Sequence, residues 1–294
     1  MSDDRTPRDL FPGTPAQDAT CALPRENVCG HTRKVFLCRE ACNPLRNRRA
    51  GGRLRILDVG CGSGYAVTRF LGRPGDDVLG IDLYEPNIAY ARRSYERPGL
   101  RFECRSAESL AEMNERYDVV VLADILEHLT DPAPLLSNCR RLLYEDGLLL
   151  ITVPNGFGPF ETESSLSRVP VLGPLLLKVT EYAVAVLNKV GPFKGKWTAA
   201  LAEPPADLPY NLESGHVQFF TRRRLAALSS GAGFHITRVE NLSFLSGPFT
   251  NFLLGASRAF CQWNVAVAPS LPRFAVSAWF FECEPGSVGS AHES

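Results

Sequence analysis

The 294-residue chain, 45% hydrophobic and 22% charged, has the make-up of a globular protein with one large domain or a domain carrying an insertion. Lys+Arg and Asp+Glu stand at 32 each, so the formal net charge is zero and gives no electrostatic basis for broad nucleic-acid binding. Its 9 cysteines follow an acidic, polar start (Met1-Ser2-Asp3-Asp4) that does not read as a secretory leader, so the expectation is a reduced, cytoplasmic protein.

Residues 1–20, rich in Pro, Asp and Thr, are expected to be disordered, and 21–50 to form a helical segment with its helix from His31 to about Arg46. The pattern then becomes regular over 51–156. Arg55–Val59 reads as a strand, followed by a glycine loop and a helix from Tyr65 to Leu71. A strand over Val78–Ile81, a helix over Asn87–Glu96 and a strand over Leu100–Cys104 come next. Tyr117–Leu122 lacks alternation, the mark of a strand buried on both faces. Asp131-Pro132 opens a helix reaching about Tyr144, and Gly147–Val153 is a strand ended by Pro154-Asn155-Gly156. Such alternation implies a parallel sheet with helices on both faces, its ligand at the carboxyl ends of the strands.

After Gly156 the rhythm breaks. Residues 157–215, with many Pro and Gly and one amphipathic stretch over Leu175–Val190, read as an insertion or lid. It resumes over 216–284. Thr221 caps a helix to about Ser230, Gly231-Ala232-Gly233 ends it, Phe234–Glu240 is a strand, and a last strand lies near Phe274–Cys283. Residues 285–294 read as a disordered tail. No segment reads as a membrane span, since the apolar stretch Phe252–Ala268 carries Arg258, Gln262 and Asn264.

The loop Asp58-Val59-Gly60-Cys61-Gly62-Ser63-Gly64 spaces its glycines as G-x-G-x-G, where dinucleotide-binding turns show G-x-G-x-x-G. Asp58 would repel a pyrophosphate but attract the ammonium and sulfonium of S-adenosylmethionine. Asp82 ends the second strand, where an acid can accept from both ribose hydroxyls.

Together with Ile56-Leu57, Gly80-Ile81-Asp82, Ala107-Glu108, Tyr117-Asp118-Val119-Val120, Leu126-Glu127-His128-Leu129 and the run Gly147 to Asn155, this loop resembles the class I S-adenosylmethionine-dependent methyltransferases. The likeness is to the small-molecule branch, similar to ubiquinone-pathway O-methyltransferases. It covers about 50–156 and resumes weakly over 216–240. The resemblance implies an α/β, Rossmann-like fold: a seven-stranded, mostly parallel sheet with the last strand antiparallel. It places the donor against Asp58, Gly60, Cys61, Gly62 and Gly64, with Asp82 and Leu83 at the ribose. Ser106, Ala107 and Glu108 would lie near adenine, and Ala123 and Asp124 would line the site below the donor.

Asp124, Glu127 and His128 follow the fourth strand, and His216 precedes a later helix. Carboxylates and imidazoles together suit Mg²⁺, Mn²⁺ or Zn²⁺. The set resembles the metal site of ubiquinone-pathway and small-RNA 2′-O-methyltransferases, although Asp124 is shorter than the glutamate of the RNA branch. The alternative is that Glu127 and His128 merely cap a turn. As catalytic groups, His128 is read as a general base, with Glu127 and His216 beside it.

The expected reaction is methyl transfer to oxygen of a small, lipophilic molecule. Transfer to nitrogen or carbon, an inactive donor-binding module and a nicotinamide-dependent oxidoreductase stand as alternatives. Cys21, Cys29, His31, Cys38 and Cys42 form a loose cluster without the tight pairs of a zinc site, and Cys38 and Cys42, which share one helix face, are read as packed thiols rather than zinc ligands. Arg222-Arg223-Arg224 is read as a solvated helix start. Leu175-Leu176-Leu177, Val179, Tyr182, Val186 and Leu187 give the insertion an apolar helix face, read first as a helix packed onto the domain and alternatively as a lid or interfacial helix for a lipophilic acceptor. With Phe244, Phe249, Phe252, Phe260 and Trp263 they point to an apolar acceptor pocket or to peripheral membrane contact. The oligomeric state stays open.

Overall fold

The computed structural model describes residues 31–189, 209, 215–254 and 257–286. Strands β1 (Arg55–Val59), β2 (Asp77–Asp82), β3 (Leu100–Cys104), β4 (Tyr117–Ala123), β5 (Leu143–Pro154), β6 (Phe234–Ser243) and β7 (Ala278–Pro285) form one sheet in the order β3-β2-β1-β4-β5-β7-β6. β1 to β5 pair in parallel, and β7 runs antiparallel to both β5 and β6. Strand order reverses between β1 and β4. That is where a parallel sheet opens a crevice at its carboxyl edge.

The helices around the sheet are α1 (His31–Arg48), α2 (Thr68–Leu71), α3 (Glu85–Tyr95), α4 (Ala133–Leu142), α5 (Pro159–Ser167), α6 (Leu172–Lys189), α7 (Arg222–Gly231), α8 (Pro248–Leu254) and α9 (Arg258–Val267). Alternation hidden inside the all-apolar strands sorts their side chains onto two faces. Leu57, Val120, Leu122 and Ile151 join Leu135, Leu136 and Cys139 of α4. Ile56, Val119, Val121 and Leu150 join Val35, Cys38 and Leu45 of α1 and Ile88 of α3. α1 therefore seals the face that carries the glycine loop. It continues through Pro44, and Arg46 near its end forks onto Asp76 at 2.7 and 2.5 Å.

Several expectations are corrected. The helix expected from Tyr65 is confined to Thr68–Leu71, because Gly64 adopts φ 69° and Val67 stays outside the helical basin at φ −128°. α4 stops at Leu142, and β5 starts at Leu143 rather than Gly147, since Leu143 pairs with Tyr117 across a register shift. The insertion holds two helices where one stretch was expected. Pro159 at the first turn starts α5, and its weak apolar periodicity hid it. α8 and α9 were not anticipated, and the last strand is Ala278–Pro285, with Phe274 in an exposed turn. Pro285 thus lies in β7 and not in a tail; the remainder of that expected tail from 287, and the expected disorder of 1–20, lie outside the described residues.

Thr221 caps α7 as expected, accepting from the Arg224 amide at 3.2 Å, and Arg222, Arg223 and Arg224 are exposed. Cys38 and Cys42 are buried on one face of α1, whereas Cys21 and Cys29 lie outside the described residues. Among the described residues no helix is long and apolar enough to cross a membrane.

Candidate active site

The glycine loop turns sharply off β1. Gly60, Gly62 and Gly64 all have positive φ, at 73°, 54° and 69°. The amides of Gly60 and Cys61 both donate to the Ile81 carbonyl, at 2.8 and 2.9 Å, which holds the loop over β2. A Cβ on Gly60 would lie 2.5 Å from Ile125 Cδ1, and one on Gly64 would lie 2.7 Å from Phe102 Cε1. Both positions combine a left-handed backbone with close packing, which glycine alone meets without strain.

Acids line the strand ends. Asp82, ending β2, accepts from the Gly62 amide and the Tyr84 amide, both at 2.9 Å, and from Asn87 Nδ2 at 3.3 Å. Leu83, beside it, is 72% exposed. Cys61 is half-buried, Ala107 sits at the start of a short turn after β3, and Glu108 is exposed. Asp58 is 1% exposed. One of its oxygens accepts from Thr68 Oγ1 at 2.6 Å, and Oδ1, fully buried, lacks a protein partner among the described residues. Burial pushes its carboxyl up to about 7, against the bond from Thr68 and the charge of Lys34.

Beyond Ala123 the chain enters Asp124 at φ 56°. The Asp124 amide donates to the Thr152 carbonyl at 3.0 Å, and Thr152 Oγ1 donates back to Asp124 Oδ1 at 2.8 Å. Asp124 Oδ2 accepts from Lys34 Nζ of α1. Burial works against the Lys34 charge, but Asp124 and Glu127 raise its pKa.

Glu127, His128 and His216 converge, with one ligand atom from each within 4.8 Å of the others. Glu127 is 1% exposed, and both carboxylate oxygens lack protein partners among the described residues. Burial first, and the Asp124 charge second, hold its pKa well above the usual carboxylate range. The Glu127 carbonyl accepts from the Val217 and Gln218 amides at 2.8 and 3.0 Å, which brings His216 to the cluster. His128 Nδ1 lies 3.1 Å from the Gly215 carbonyl. Since a carbonyl only accepts, Nδ1 carries the proton and Nε2 is the basic nitrogen. Burial lowers the His128 pKa. His216 Nδ1 lies 2.6 Å from Glu161 Oε1 of α5, and the two imidazoles stand edge to face at 5.0 Å.

Of the residues expected to hold a metal, the structure gathers Glu127, His128 and His216, whereas Asp124 is engaged by Lys34 and Thr152. The donor set of two imidazoles and a buried, unpaired carboxylate fits a borderline divalent ion. Lys34 and Glu161 escaped sequence reasoning, because their partners lie 90 and 55 residues away. Phe244 joins Phe157, Thr162, Glu163 and Phe274 around a cavity beside α5, and it packs edge to face on Trp263 at 6.1 Å.

Residues 30–239 match a family model described as a methyltransferase domain. A ubiquinone biosynthesis O-methyltransferase of Cereibacter sphaeroides is 41% identical over 104 residues, which is 35% of this chain and 42% of that protein. The enzyme of the same name from Roseobacter denitrificans gives the same identity and coverage. The match thus spans less than half the length of these relatives. A solved Listeria monocytogenes structure, assigned as an S-adenosylmethionine-dependent methyltransferase, superposes with a TM-score of 0.51. It is 16% identical, with 86% of this chain and 97% of that one covered, a likeness of fold.

Proposed function

We propose that this chain, which belongs to the methyltransferase-domain family, transfers a methyl group from S-adenosylmethionine to a hydroxyl oxygen of a small, apolar acceptor, with a divalent ion at Glu127, His128 and His216. The observation that carries the proposal is the convergence of those three side chains beside the β4 edge of the crevice. The Nδ1 atoms of the two imidazoles face Gly215 and Glu161, which leaves Nε2 as the nitrogen each would turn to a metal ion. A carboxylate buried without a hydrogen-bond donor calls for a cation or a proton. Domain roles follow: 51–156 holds the donor, 157–215 covers the acceptor, and 216–284 supplies His216.

The donor supplies an electrophilic methyl on a sulfonium whose charge vanishes as the new bond forms. A divalent ion supplies Lewis acidity, lowering the pKa of an oxygen bound to it. The chain does the rest. The positive-φ glycines would let backbone approach the donor closely, Asp82 would accept from its ribose hydroxyls, and Asp58 would turn to its cationic end an oxygen that has no protein partner among the described residues. Much of the acceleration is alignment of acceptor and methyl. Where no ion is bound, His128, whose pKa burial lowers, would take the acceptor proton at Nε2, a step worth about 10²- to 10⁴-fold; with an ion bound, Nε2 would be its ligand and the proton would pass from the acidified hydroxyl to solvent. Glu161 fixes the tautomer and orientation of His216. An apolar acceptor suits the aromatic wall of Phe157, Phe244 and Phe274, and the exposed apolar residues of α6 support peripheral contact with the lipid that would carry it.

The test measures transfer of labelled methyl to an alkyl-substituted catechol, with and without Mg²⁺. Transfer by the parent that is lost in Glu127→Gln and His128→Ala is expected. A parent that binds S-adenosylhomocysteine yet methylates no hydroxyl would overturn the O-transfer reading and favour nitrogen or carbon acceptors, or a binding module. Metal-independent transfer would remove the ion and leave His128 as the base.

A further inference from the structure

We infer that a cleft at the amino edge of the sheet, walled by Arg116, Arg140 and Arg141, binds the phosphate group of a small soluble phosphate ester. The cleft has a volume of about 470 Å³, within the range of small-molecule pockets, and Ser137, Glu145, Gly233 and Gly286 complete its lining. Arg116 stands just before β4, Glu145 near the start of β5, Gly233 just before β6, and Gly286 just after the antiparallel β7. These positions therefore meet at the edge of the sheet opposite the candidate active site. The seven residues of β4 separate Arg116 from Asp124, a span of roughly 25 Å. A small molecule in the cleft cannot touch the donor crevice.

Ser137, Arg140 and Arg141 lie three and four residues apart, on one face of α4. Arg140 meets Glu145 at 2.6 Å, which balances its charge. The other two arginines meet no carboxylate among the described residues. Arg116 Nη1 donates to the Leu143 carbonyl at 2.8 Å, while Arg141 donates to the Met113 carbonyl at 2.7 Å and to the Leu110 carbonyl. Carbonyl oxygens orient a guanidinium without cancelling its charge. Three guanidiniums against one carboxylate leave two positive charges facing the cleft. The carboxyl end of α4 carries only about half an elementary negative charge, so its dipole accounts for a small part of them. Each guanidinium has five N–H groups, so Arg116 and Arg141 keep donors beyond these bonds. Gly233 and Gly286, joined by a 2.7 Å bond from the Gly286 amide to the Gly233 carbonyl, form a wall without side chains. A phosphate monoester supplies nearly two negative charges at neutral pH and three acceptor oxygens, which the flat guanidinium fork matches. A lone carboxylate would leave one of the two charges unmatched. The concave shape favours a soluble ester over a headgroup held in a membrane plane.

The experiment measures binding of inorganic phosphate to the full chain by calorimetry at low ionic strength. The parent is expected to bind it with a Kd below about 1 mM. Arg116→Gln should weaken binding roughly 10-fold or more, the worth of a hydrogen bond between charged groups. Glu145→Gln removes the acid that competes for Arg140 and should tighten binding roughly threefold. Arg116 and Glu145 are both exposed, and effects of opposite sign at the two positions cannot come from lost folding. A parent that shows no binding at about 10 mM phosphate overturns the inference, as do affinities that neither substitution moves. Saturating S-adenosylhomocysteine should leave the phosphate affinity unchanged; displacement would put the anion in the donor crevice and overturn the assignment to the cleft. Glycerol 3-phosphate should compete with phosphate, and vesicles containing phosphatidic acid should not. The reverse result would overturn the soluble source and assign the cleft to a lipid headgroup.

Discussion

Asp58 is buried with one oxygen bonded to Thr68 and the other lacking a protein donor among the described residues, so the fold penalises its charge. Its carboxyl titrates near 7 in the folded chain against 3.8 for the ordinary group. The folded state therefore holds the proton more tightly than the unfolded state. This contribution to stability is complete below about pH 4 and is lost as pH rises to about 7. Asp58→Asn removes the titrating group. Chemical denaturation of donor-free protein should show the parent losing up to a few kcal/mol more than the variant between those pH values. Parallel pH profiles would refute the assigned burial cost.

Glu161 makes a second prediction at this scale. Glu161→Gln keeps an acceptor for His216 but removes the charge that favours its Nδ1 proton. Mn²⁺ affinity, read by electron paramagnetic resonance, should fall roughly 10- to 100-fold. Unchanged affinity would mean that Glu161 only fastens α5. Asp58 and Asp82 were legible in the sequence because each stands beside a glycine signature on a strand end. Glu127, His128 and His216 were legible as chemistry, with their convergence left to the fold. Lys34 and Glu161 were not, since no spacing rule links a residue on one helix to a partner 90 or 55 residues away.

The elements stand on local pattern where the core is regular, and on long-range anchors where it is not. β4 was readable from its unbroken apolar run, and α7 from its Thr221 cap. α5 was not, for it lacks amphipathic periodicity, and α2 was read with its end right but its start too early, because the turn that follows Gly64 curtails it. α1 illustrates the anchoring. Its Arg46 meets Asp76 in a bidentate pair with side chains 9% and 1% exposed, and Asp76 also accepts from the Leu54 amide at 3.0 Å and the Arg73 amide at 2.7 Å. Asp76→Ala strands a buried guanidinium and two amides, which costs about 3–5 kcal/mol. Differential scanning calorimetry should record a drop of about 10 °C. The neighbouring Asp77→Ala breaks an exposed pair with Arg101 and should cost less than about 1 kcal/mol. Equal effects from the two substitutions would contradict the view that α1 is fastened by a buried charge network.

At the scale of the molecule, the described residues include a surface that does not match a freely solvated protein. α6 packs against α5 and α8, while Leu172, Leu175, Val179, Tyr182 and Val186 stand 39–73% exposed along a single stripe at helical spacing. Arg168, Lys178 and Lys189 are exposed nearby and outnumber the exposed Glu181 of α6. Apolar side chains bordered by cations match a helix that lies in the plane of a lipid interface. The stripe was visible in the sequence as apolar periodicity. Whether it faced the core or the solvent was not, because both placements share one pattern, and the fold turns it outward. Sedimentation with phosphatidylglycerol vesicles should carry the parent down. Val179→Glu with Tyr182→Glu should lower partitioning by roughly 10-fold or more, since each burial in lipid is worth about 1.5–3 kcal/mol. Because both positions are exposed, the melting temperature should stay nearly unchanged, which separates lost lipid contact from lost folding. Parent and variant that partition alike would show that α6 does not dock on lipid, and the apolar acceptor would then have to reach the cluster from solution.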